Sequence, residues 1–344
     1  MELQDHSQKV TVGLAMSGAA ARSVFYIGFL EALSIHGVPV DYIAAYSGAA
    51  IVSAAYATGN LQVLKEDALN LNRKTLFSLF KRSEKSGGWY NLDLFEEHVR
   101  ERYTNGLKLE EVTPRLCFLA TDIQSKQSVR LSLGDIAKAV KISCSMPGVF
   151  EPVQWGNQLL VDGGLAASIP GDAVRDAGID IVIGVQVRSN KYFFFRNDRV
   201  MNAVHRQIKR FSFLRIFEPW FEKLKTVFGR MDIFGYIAEI RAFEAEDSRN
   251  LGIFSILGKC LDIAVESSKR QKDSNPNMGC DLIISTGTPS VTGGVNVHAG
   301  KELYERGLLS GHAHAAEILS LIAKKQKEKD SGYVMTGKEG YARN

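Results

Sequence analysis

The stretch DYIAAYSGAAIVSAAY (residues 41–56) joins an apolar run to a series of small residues through one serine, Ser47. The apolar run predicts a buried strand, and the alanine-rich residues predict a helix that packs closely on a sheet and ends at Gly59. A serine on a tight strand-to-helix turn projects its hydroxyl, while the next backbone N–H and the helix dipole favour a developing oxyanion. The stretch therefore predicts a nucleophile elbow.

The same serine has a purely structural interpretation, as the N-cap of the helix that follows it. Nucleophile elbows usually read G-x-S-x-G, whereas this chain has Ala45-Tyr46-Ser47-Gly48-Ala49, with alanine at both glycine positions. Alanine keeps the side chains at these two positions small, but it lacks the torsional freedom of glycine. The stretch taken alone leaves both interpretations open.

Apolar strands alternate with helical patterns along much of the chain, which predicts an α/β fold with a mostly parallel central sheet flanked by helices. Besides the strand before Ser47, the sequence predicts strands at 9–16, 115–122, 128–132, 158–164, 180–187 and 281–286.

Several polar or glycine-containing segments directly follow predicted strands. They are the loop from Gly18 to Arg22, Ser47, Asp122 and Asp162. Because sites in such sheets form at the carboxyl ends of the strands, we expect these residues to converge on one edge.

Composition places the chain among ordinary globular proteins, with 344 residues, 45% of them hydrophobic and 23% charged. The net charge of +4 is too small to indicate nucleic acid, and it would not oppose approach to an anionic membrane. Four cysteines without a C-x-x-C pair fit reduced thiols in a cytosolic compartment. No apolar stretch is long enough to span a bilayer. We expect a cytoplasmic protein, with peripheral contact at the inner face of the membrane as an option.

The segment 192–236 interleaves aromatic residues with Arg and Lys more densely than the rest of the chain. It predicts basic amphipathic helices, inserted at about 190–250 in a single domain over 9–325, with a disordered tail at 326–344. Such helices suit a lipid interface or a lid over the serine. The alternative is that their aromatic side chains are buried against the domain or in a dimer. The oligomeric state stays open.

Three motifs in a fixed order resemble the patatin-like phospholipase family, particularly its bacterial members. That family has a G-G-G-x-R loop after the first strand, a G-x-S-x-G elbow after the second and a D-G-[GA] motif later. The corresponding segments here are SGAAAR (17–22), the elbow at Ser47 and DGG (162–164). The segments ATD (120–122) and KISCSMPGVFEPV (141–153) add to the resemblance.

The resemblance implies a three-layer patatin-like fold and a serine hydrolase that cleaves ester bonds of phospholipids or other acyl lipids without a cofactor. In a Ser-Asp dyad without a histidine, Ser47 would attack the ester carbonyl and Asp162 would accept its proton, directly or through water. The implied oxyanion hole consists of backbone N–H groups of Gly18, Ala19, Ala20, Ala21 and Gly48, supported by Arg22, Gly163 and Gly164.

The oxyanion loop departs from the family pattern, because alanines occupy 19–21 and Ser23 replaces the glycine expected after Arg22. Alanine keeps its N–H, but a positive φ at any of these positions would cost on the order of 1–2 kcal/mol. A misplaced oxyanion donor lowers the rate by about 10² to 10³. The alternative function is therefore a catalytically weak or inactive homologue that binds lipid or regulates.

A second catalytic alternative is the α/β-hydrolase triad of Ser47, Asp162 and one of His298, His312 or His314. Only one strand is predicted before the strand of Ser47, whereas α/β-hydrolases usually have several. His312 and His314 are two apart on a predicted helix and so point in different directions. The sequence also lacks metal-ligand spacing and a Walker loop, so we expect no metal, no other cofactor and no nucleic acid.

Overall fold

The computed structural model describes residues 9–84, 87–165, 168–189, 260, 277–288 and 299–331. The aromatic and basic segment 192–236, and the insertion predicted around it, lie outside the described residues. Among the helices that are described, none combines the length and the apolar composition needed to cross a bilayer.

Eleven strands lie in these ranges: β1 (Val12–Met16), β2 (Tyr42–Ala45), β3 (Lys81–Arg82), β4 (Gly88–Asn91), β5 (Arg115–Asp122), β6 (Gln127–Leu131), β7 (Gly148–Phe150), β8 (Val153–Trp155), β9 (Gln158–Asp162), β10 (Ile181–Ser189) and β11 (Leu282–Thr288).

Eight helices have both ends in the described ranges: α1 (Val24–Ile35), α2 (Gly48–Ala57), α3 (Leu61–Asn70), α4 (Arg73–Ser78), α5 (Asp93–Val99), α6 (Ile136–Ser143), α7 (Gly171–Arg175) and α8 (Gly300–Asp330). Short helical turns occupy Ala20–Ser23, Arg100–Thr104, Leu109–Glu111 and Gly163–Leu165.

Eight strands form one sheet in the order β11-β10-β1-β2-β5-β9-β8, with β6 also paired to β5. The five strands from β11 to β5 are parallel, which confirms the predicted mostly parallel sheet. Strands β6 and β9 run antiparallel to β5, and β8 runs antiparallel to β9. Strands β3, β4 and β7 form a separate small sheet.

Helices cover both faces of the large sheet, which gives the three layers that the family resemblance implies. Side chains alternate between faces along a strand. In β1, Leu14 and Met16 join the larger core together with α1, α2, α6 and α8. Ala15, between them, joins a smaller core with Val174 of α7. The chain is therefore an α/β fold with a central sheet between two helical layers.

Helices α1 and α8 cross at glycines that let their backbones touch. A Cβ built on Gly28 would lie 2.2 Å from the Tyr304 carbonyl oxygen, and one on Gly307 would lie 1.9 Å from the Phe25 carbonyl oxygen. Neither contact leaves room for a side chain, because it is backbone that would have to move. The crossing fixes α1, whose first turn lies beside the elbow.

Helix α8 extends beyond the domain boundary predicted at residue 325, because it ends at Asp330. Its last turns are attached to the sheet: the Val10 N–H donates to the Gln326 side chain over 3.0 Å, and Lys329 pairs with Asp180 at 2.7 Å. Residues 326–330 therefore belong to the folded domain. Residues 332–344, the rest of the predicted tail, lie outside the described residues.

Replacing Gly307 by Ala should lower the free energy of unfolding by about 1–3 kcal/mol, because the added methyl forces α8 away from α1. Urea titration of wild type and variant measures this. Ser320→Ala, on the exposed side of the same helix, should change stability by less than about 0.5 kcal/mol. Were the crossing looser, Gly307→Ala would stabilise the protein by about 1 kcal/mol through helix propensity.

Candidate active site

Ser47 lies on the two-residue turn between β2 and α2, with φ 55° and ψ −137°. A non-glycine residue in the left-handed region carries strain of about 1–3 kcal/mol, which persists only where the surrounding structure imposes it. Ser47 occupies the N-cap position of α2, but its side chain makes no capping hydrogen bond. Its hydroxyl interacts instead with the carboxyl group of Asp162.

Asp162 reaches Ser47 through the antiparallel part of the sheet. Ala45 of β2 pairs with Phe118 of β5, so Ser47 is level with Ala120, two residues further along. Ala120 in turn pairs with Asp162, the last residue of antiparallel β9. The sequence pattern placed Asp162 with the carboxyl ends of parallel strands, but β9 is antiparallel, and its register against β5 sets the level of Asp162.

The Asp162 carboxyl group is buried, with 7% of the residue exposed. Burial raises the pKa of Asp162 to about 6, while the Gly164 N–H and the Ser47 hydroxyl act in the opposite direction. The Gly164 N–H donates to Asp162 Oδ1 over 2.8 Å. A carboxylate with this pKa is a stronger base than an exposed one and is still ionised at neutral pH.

The end of α6 holds the backbones of both residues. The Ser47 N–H donates to the carbonyl oxygen and to Oγ of Ser143, each over 3.1 Å. Ser143 Oγ donates onward to the Leu119 carbonyl over 2.7 Å. The Asp162 N–H donates to the Ser145 carbonyl over 2.9 Å. The segment 141–153, noted above only as part of a resemblance, thus contributes the residues that fix the spacing of Ser47 and Asp162.

The Tyr46 ring explains why two positions of the site are glycine, and no feature of the sequence had indicated this role. A Cβ on Gly18 would lie 2.5 Å from its ring, and one on Gly164 would lie 3.0 Å from it. The Tyr46 hydroxyl donates to the Ser168 carbonyl over 2.7 Å, and burial raises the pKa of this phenol. The buried ring therefore holds the loop after β1 and the turn after β9 on either side of the elbow.

The loop after β1 meets the first turn of α2 next to Ser47. A Cβ on Gly18 would lie 2.9 Å from Ser47 Cβ, and one on Gly48 would lie 2.7 Å from the Ala20 carbonyl oxygen. Ala20 adopts φ 47°, the left-handed conformation that glycine accepts most readily. Ala20–Ser23 forms a 3₁₀ turn whose N-cap is Ala19. Two helical N-termini, whose first N–H groups have no partner within the helix, thus lie side by side.

The predicted supporting residues lie around this core of the site. The Arg22 N–H donates to the Ala19 carbonyl over 2.9 Å. Burial raises the pKa of Tyr26, and the nearby charge of Arg22 partly opposes this. A Cβ on Gly163 would lie 2.5 Å from the Leu119 carbonyl oxygen, so only glycine lets this turn approach β5.

Asp122 does not join the site as expected. Its carboxylate caps the turn that leads out of β5, accepting from the N–H of Gln124 over 3.0 Å and from the Ser125 hydroxyl over 2.7 Å. These bonds hold the pKa of Asp122 below its usual range although burial alone would raise it. Asp122 is therefore a structural turn residue.

The described histidines of the alternative triad point elsewhere. His312 pairs with His36 over 2.8 Å just beyond the end of α1, about 18 Å along this helix from its start near the elbow. His314 contacts the Ser310 carbonyl over 2.8 Å. His298 lies outside the described residues. Within the part of the chain that the structure describes, no group of three His, Cys, Asp or Glu is placed to hold a metal ion.

Residues 14–174, which include the loop, the elbow and the DGG turn, match the family of patatin-like phospholipases. Residues 14–174 therefore belong to the patatin-like phospholipase family. An uncharacterised NTE-family protein of Mycobacterium tuberculosis is 26% identical over 185 residues, which are 54% of this chain and 51% of that protein. The chain thus spans about half the length of the curated relatives it matches first.

More distant relatives are similar over smaller shares of their own length. Lysophospholipase NTE1 of Debaryomyces hansenii is 23% identical over 253 residues, covering 68% of this chain and 15% of that protein. The solved structure of VipD from Legionella pneumophila has a TM-score of 0.40 and 14% identity, covering 91% of this chain and 67% of that chain.

Replacing Asp162 by Asn should stabilise the protein at pH 8 by about 2 kcal/mol, because a buried charge is replaced by a neutral amide that still accepts from Gly164. The raised pKa means that wild type loses stability as the pH rises from about 4 to about 6. The difference between the two proteins should therefore be absent below about pH 4 and complete above about pH 6. Urea titrations across this range measure it. Equal stabilities at pH 8 would contradict the raised pKa.

Replacing Ser143 by Ala should lower the free energy of unfolding by about 2 kcal/mol, because the hydroxyl links Ser47 to Leu119 in a fully buried place. Ser53→Ala is the matched control: Ser53 is equally buried, but its hydroxyl only bonds the Ala49 carbonyl of its own helix. We expect its cost to stay below about 1 kcal/mol. Equal costs for the two variants would show that Ser143 has no special role.

Proposed function

We propose that this protein hydrolyses ester bonds of phospholipids or other acyl lipids through a Ser-Asp dyad formed by Ser47 and Asp162. The observation that carries the proposal is that the hydroxyl of the strained Ser47 lowers the pKa of the buried Asp162 carboxyl group, which burial raises to about 6. Membership of the patatin-like phospholipase family supports lipid esters as the substrate class. One distant relative, Lysophospholipase NTE1, is named for activity on a lipid ester, which points the same way.

In the proposed mechanism, Ser47 Oγ attacks the ester carbonyl carbon while Asp162 accepts the hydroxyl proton. The negative oxygen that develops accepts hydrogen bonds from the N–H groups of Gly48 and of the loop residues 18–21, at the paired helical N-termini. Asp162 then returns its proton to the departing alcohol. Water, deprotonated by Asp162 in its turn, hydrolyses the acyl-enzyme and regenerates Ser47.

The proposal includes access to lipid at a membrane surface. The aromatic and basic segment 192–236 is our candidate for this contact or for a lid, and it lies outside the described residues. The proposed ester hydrolysis needs no cofactor. The proposal also keeps the location expected from the sequence, which is cytoplasmic with peripheral contact at the inner face of the membrane.

A second candidate function is lipid binding or regulation without efficient hydrolysis. The observation in its favour is Ala20, which holds a left-handed conformation at φ 47° with a Cβ in place. Any tilt of the neighbouring N–H groups would weaken the oxyanion hole. Against this candidate stands the effect of the Ser47 hydroxyl on the pKa of the buried Asp162 carboxyl group, an interaction that a binding protein does not need.

Hydrolysis of p-nitrophenyl esters and labelling by a fluorophosphonate probe separate the two candidates. We expect wild type to be labelled and active, and Ser47→Ala to be neither. The value of kcat/KM should rise with pH through about 6 and then level off, because Asp162 must be ionised to accept the proton. Asp162→Asn should lose this rise together with at least about 10²-fold in kcat.

Ser53→Ala serves as the control for these assays, since it removes a buried serine hydroxyl of α2 that does not reach the site. It should be labelled and active like wild type. A folded wild-type protein that resists labelling would favour the second candidate, and activity that survives Ser47→Ala would refute the dyad.

A further inference from the structure

An apolar cavity of about 130 Å³ lies beside the elbow, between the loop after β1 and helices α1, α2 and α3. Nearly all of its surface is contributed by carbon atoms. Its walls are formed by Ala20, Ala21, Ser23, Val24, Ile27, Gly48, Ile51, Val52, Leu64 and Ala68.

The cavity begins at the residues that the proposed mechanism assigns to the oxyanion hole. Ala20 and Ala21 belong to the loop after β1, and Gly48 directly follows Ser47. Its far wall is formed by Leu64 and Ala68 of α3. Ala20, Ala21 and Gly48 therefore border both the cavity and the place where the mechanism puts the carbonyl oxygen of the acyl group.

We propose that this cavity binds the first part of the substrate's acyl chain and that α3 sets the chain length that fits. This inference rests on the proposed function. An apolar cavity of similar size in another protein takes up benzene, so this one accommodates about six carbon atoms. Burial of each additional methylene group is favourable, which favours hexanoyl over acetyl esters.

Ser23 gives the cavity a polar end. The residue is 5% exposed, and its hydroxyl makes no hydrogen bond with any residue that the structure describes. A Cβ built on Gly48 would lie 2.2 Å from Ser23 Oγ, which places the hydroxyl against the first turn of α2. A buried hydroxyl without a partner is costly, and a bound ester oxygen would supply the partner. The ester end of the ligand therefore lies at Ser23, and the alkyl end at Leu64 and Ala68.

Filling the cavity from α3 tests the proposal. Ala68→Phe should lower the ratio of kcat/KM for p-nitrophenyl hexanoate to that for the acetate at least tenfold. Glu66→Phe adds the same ring to the exposed side of the same helix, two residues earlier, and should leave this ratio as in wild type. An unchanged ratio in Ala68→Phe, or an equal fall in both variants, would overturn the proposal.

Two further variants test the two ends of the cavity. Leu64→Ala enlarges the apolar end and should move the preferred ester towards longer chains. Ser23→Ala should raise the midpoint of thermal unfolding and lower kcat/KM for the hexanoate several-fold, because the hydroxyl serves the ligand and not the free protein. A Ser23→Ala variant that is both less stable and equally active would contradict this role of the hydroxyl.

Binding without turnover distinguishes failure of the cavity from failure of the proposed function. Calorimetric titration of the Ser47→Ala variant with sodium hexanoate should give binding that Ala68→Phe weakens at least tenfold and Glu66→Phe does not weaken. If wild type hydrolyses no ester but this binding is found, the proposed acyl-chain cavity is supported and the proposed hydrolase function is rejected. If wild type is active but Ala68→Phe changes neither binding nor the ester ratio, the cavity assignment fails alone.

Discussion

The site depends on one backbone constraint, the left-handed conformation of Ser47 between β2 and α2. This conformation turns the hydroxyl away from the N–H groups of its own helix and towards Asp162. Its strain is held in place by the bonds of the Ser47 N–H to Ser143 and by the neighbouring Tyr46 ring, which packs against Gly18 and Gly164. Relaxation to an ordinary N-cap would direct the hydroxyl to the helix and leave the buried carboxyl without its partner.

The mixed parallel and antiparallel sheet brings a carboxyl group level with Ser47. A fully parallel sheet would place each strand end at a similar level, whereas antiparallel β9 returns beside β5 and delivers its last residue, Asp162, level with Ser47. The position is buried, so the pKa of the carboxyl group is raised to about 6. One topological feature therefore supplies both the proximity and the basicity that the proposed mechanism needs.

The sequence predicted the fold well because its strands carry strong signals. Strand β5 has the predicted bounds, and β6, β9, β10 and β11 differ from theirs by at most two residues. The pairing of Ser47 with Asp162 as a catalytic dyad came from the family resemblance and stays a prediction. The prediction that Asp122 joins the site was wrong. A carboxylate at a strand end caps a turn when nearby backbone N–H groups donate to it, as the Gln124 N–H does here. The sequence did not predict three other parts of the site: Tyr46, Ser143 and the Ser23 hydroxyl. Their roles depend on distances between segments that are far apart in the sequence.

The most direct measurement of the central claim is the titration of the Asp162 carboxyl group by ¹³C NMR, in wild type and in Ser47→Ala. The structure predicts a pKa of about 6 in wild type. It predicts a higher pKa in Ser47→Ala, because the hydroxyl that stabilises the carboxylate is removed. A pKa near that of an exposed aspartate, unchanged by Ser47→Ala, would mean that the carboxyl is neither buried nor in contact with the serine, and the dyad would have to be abandoned.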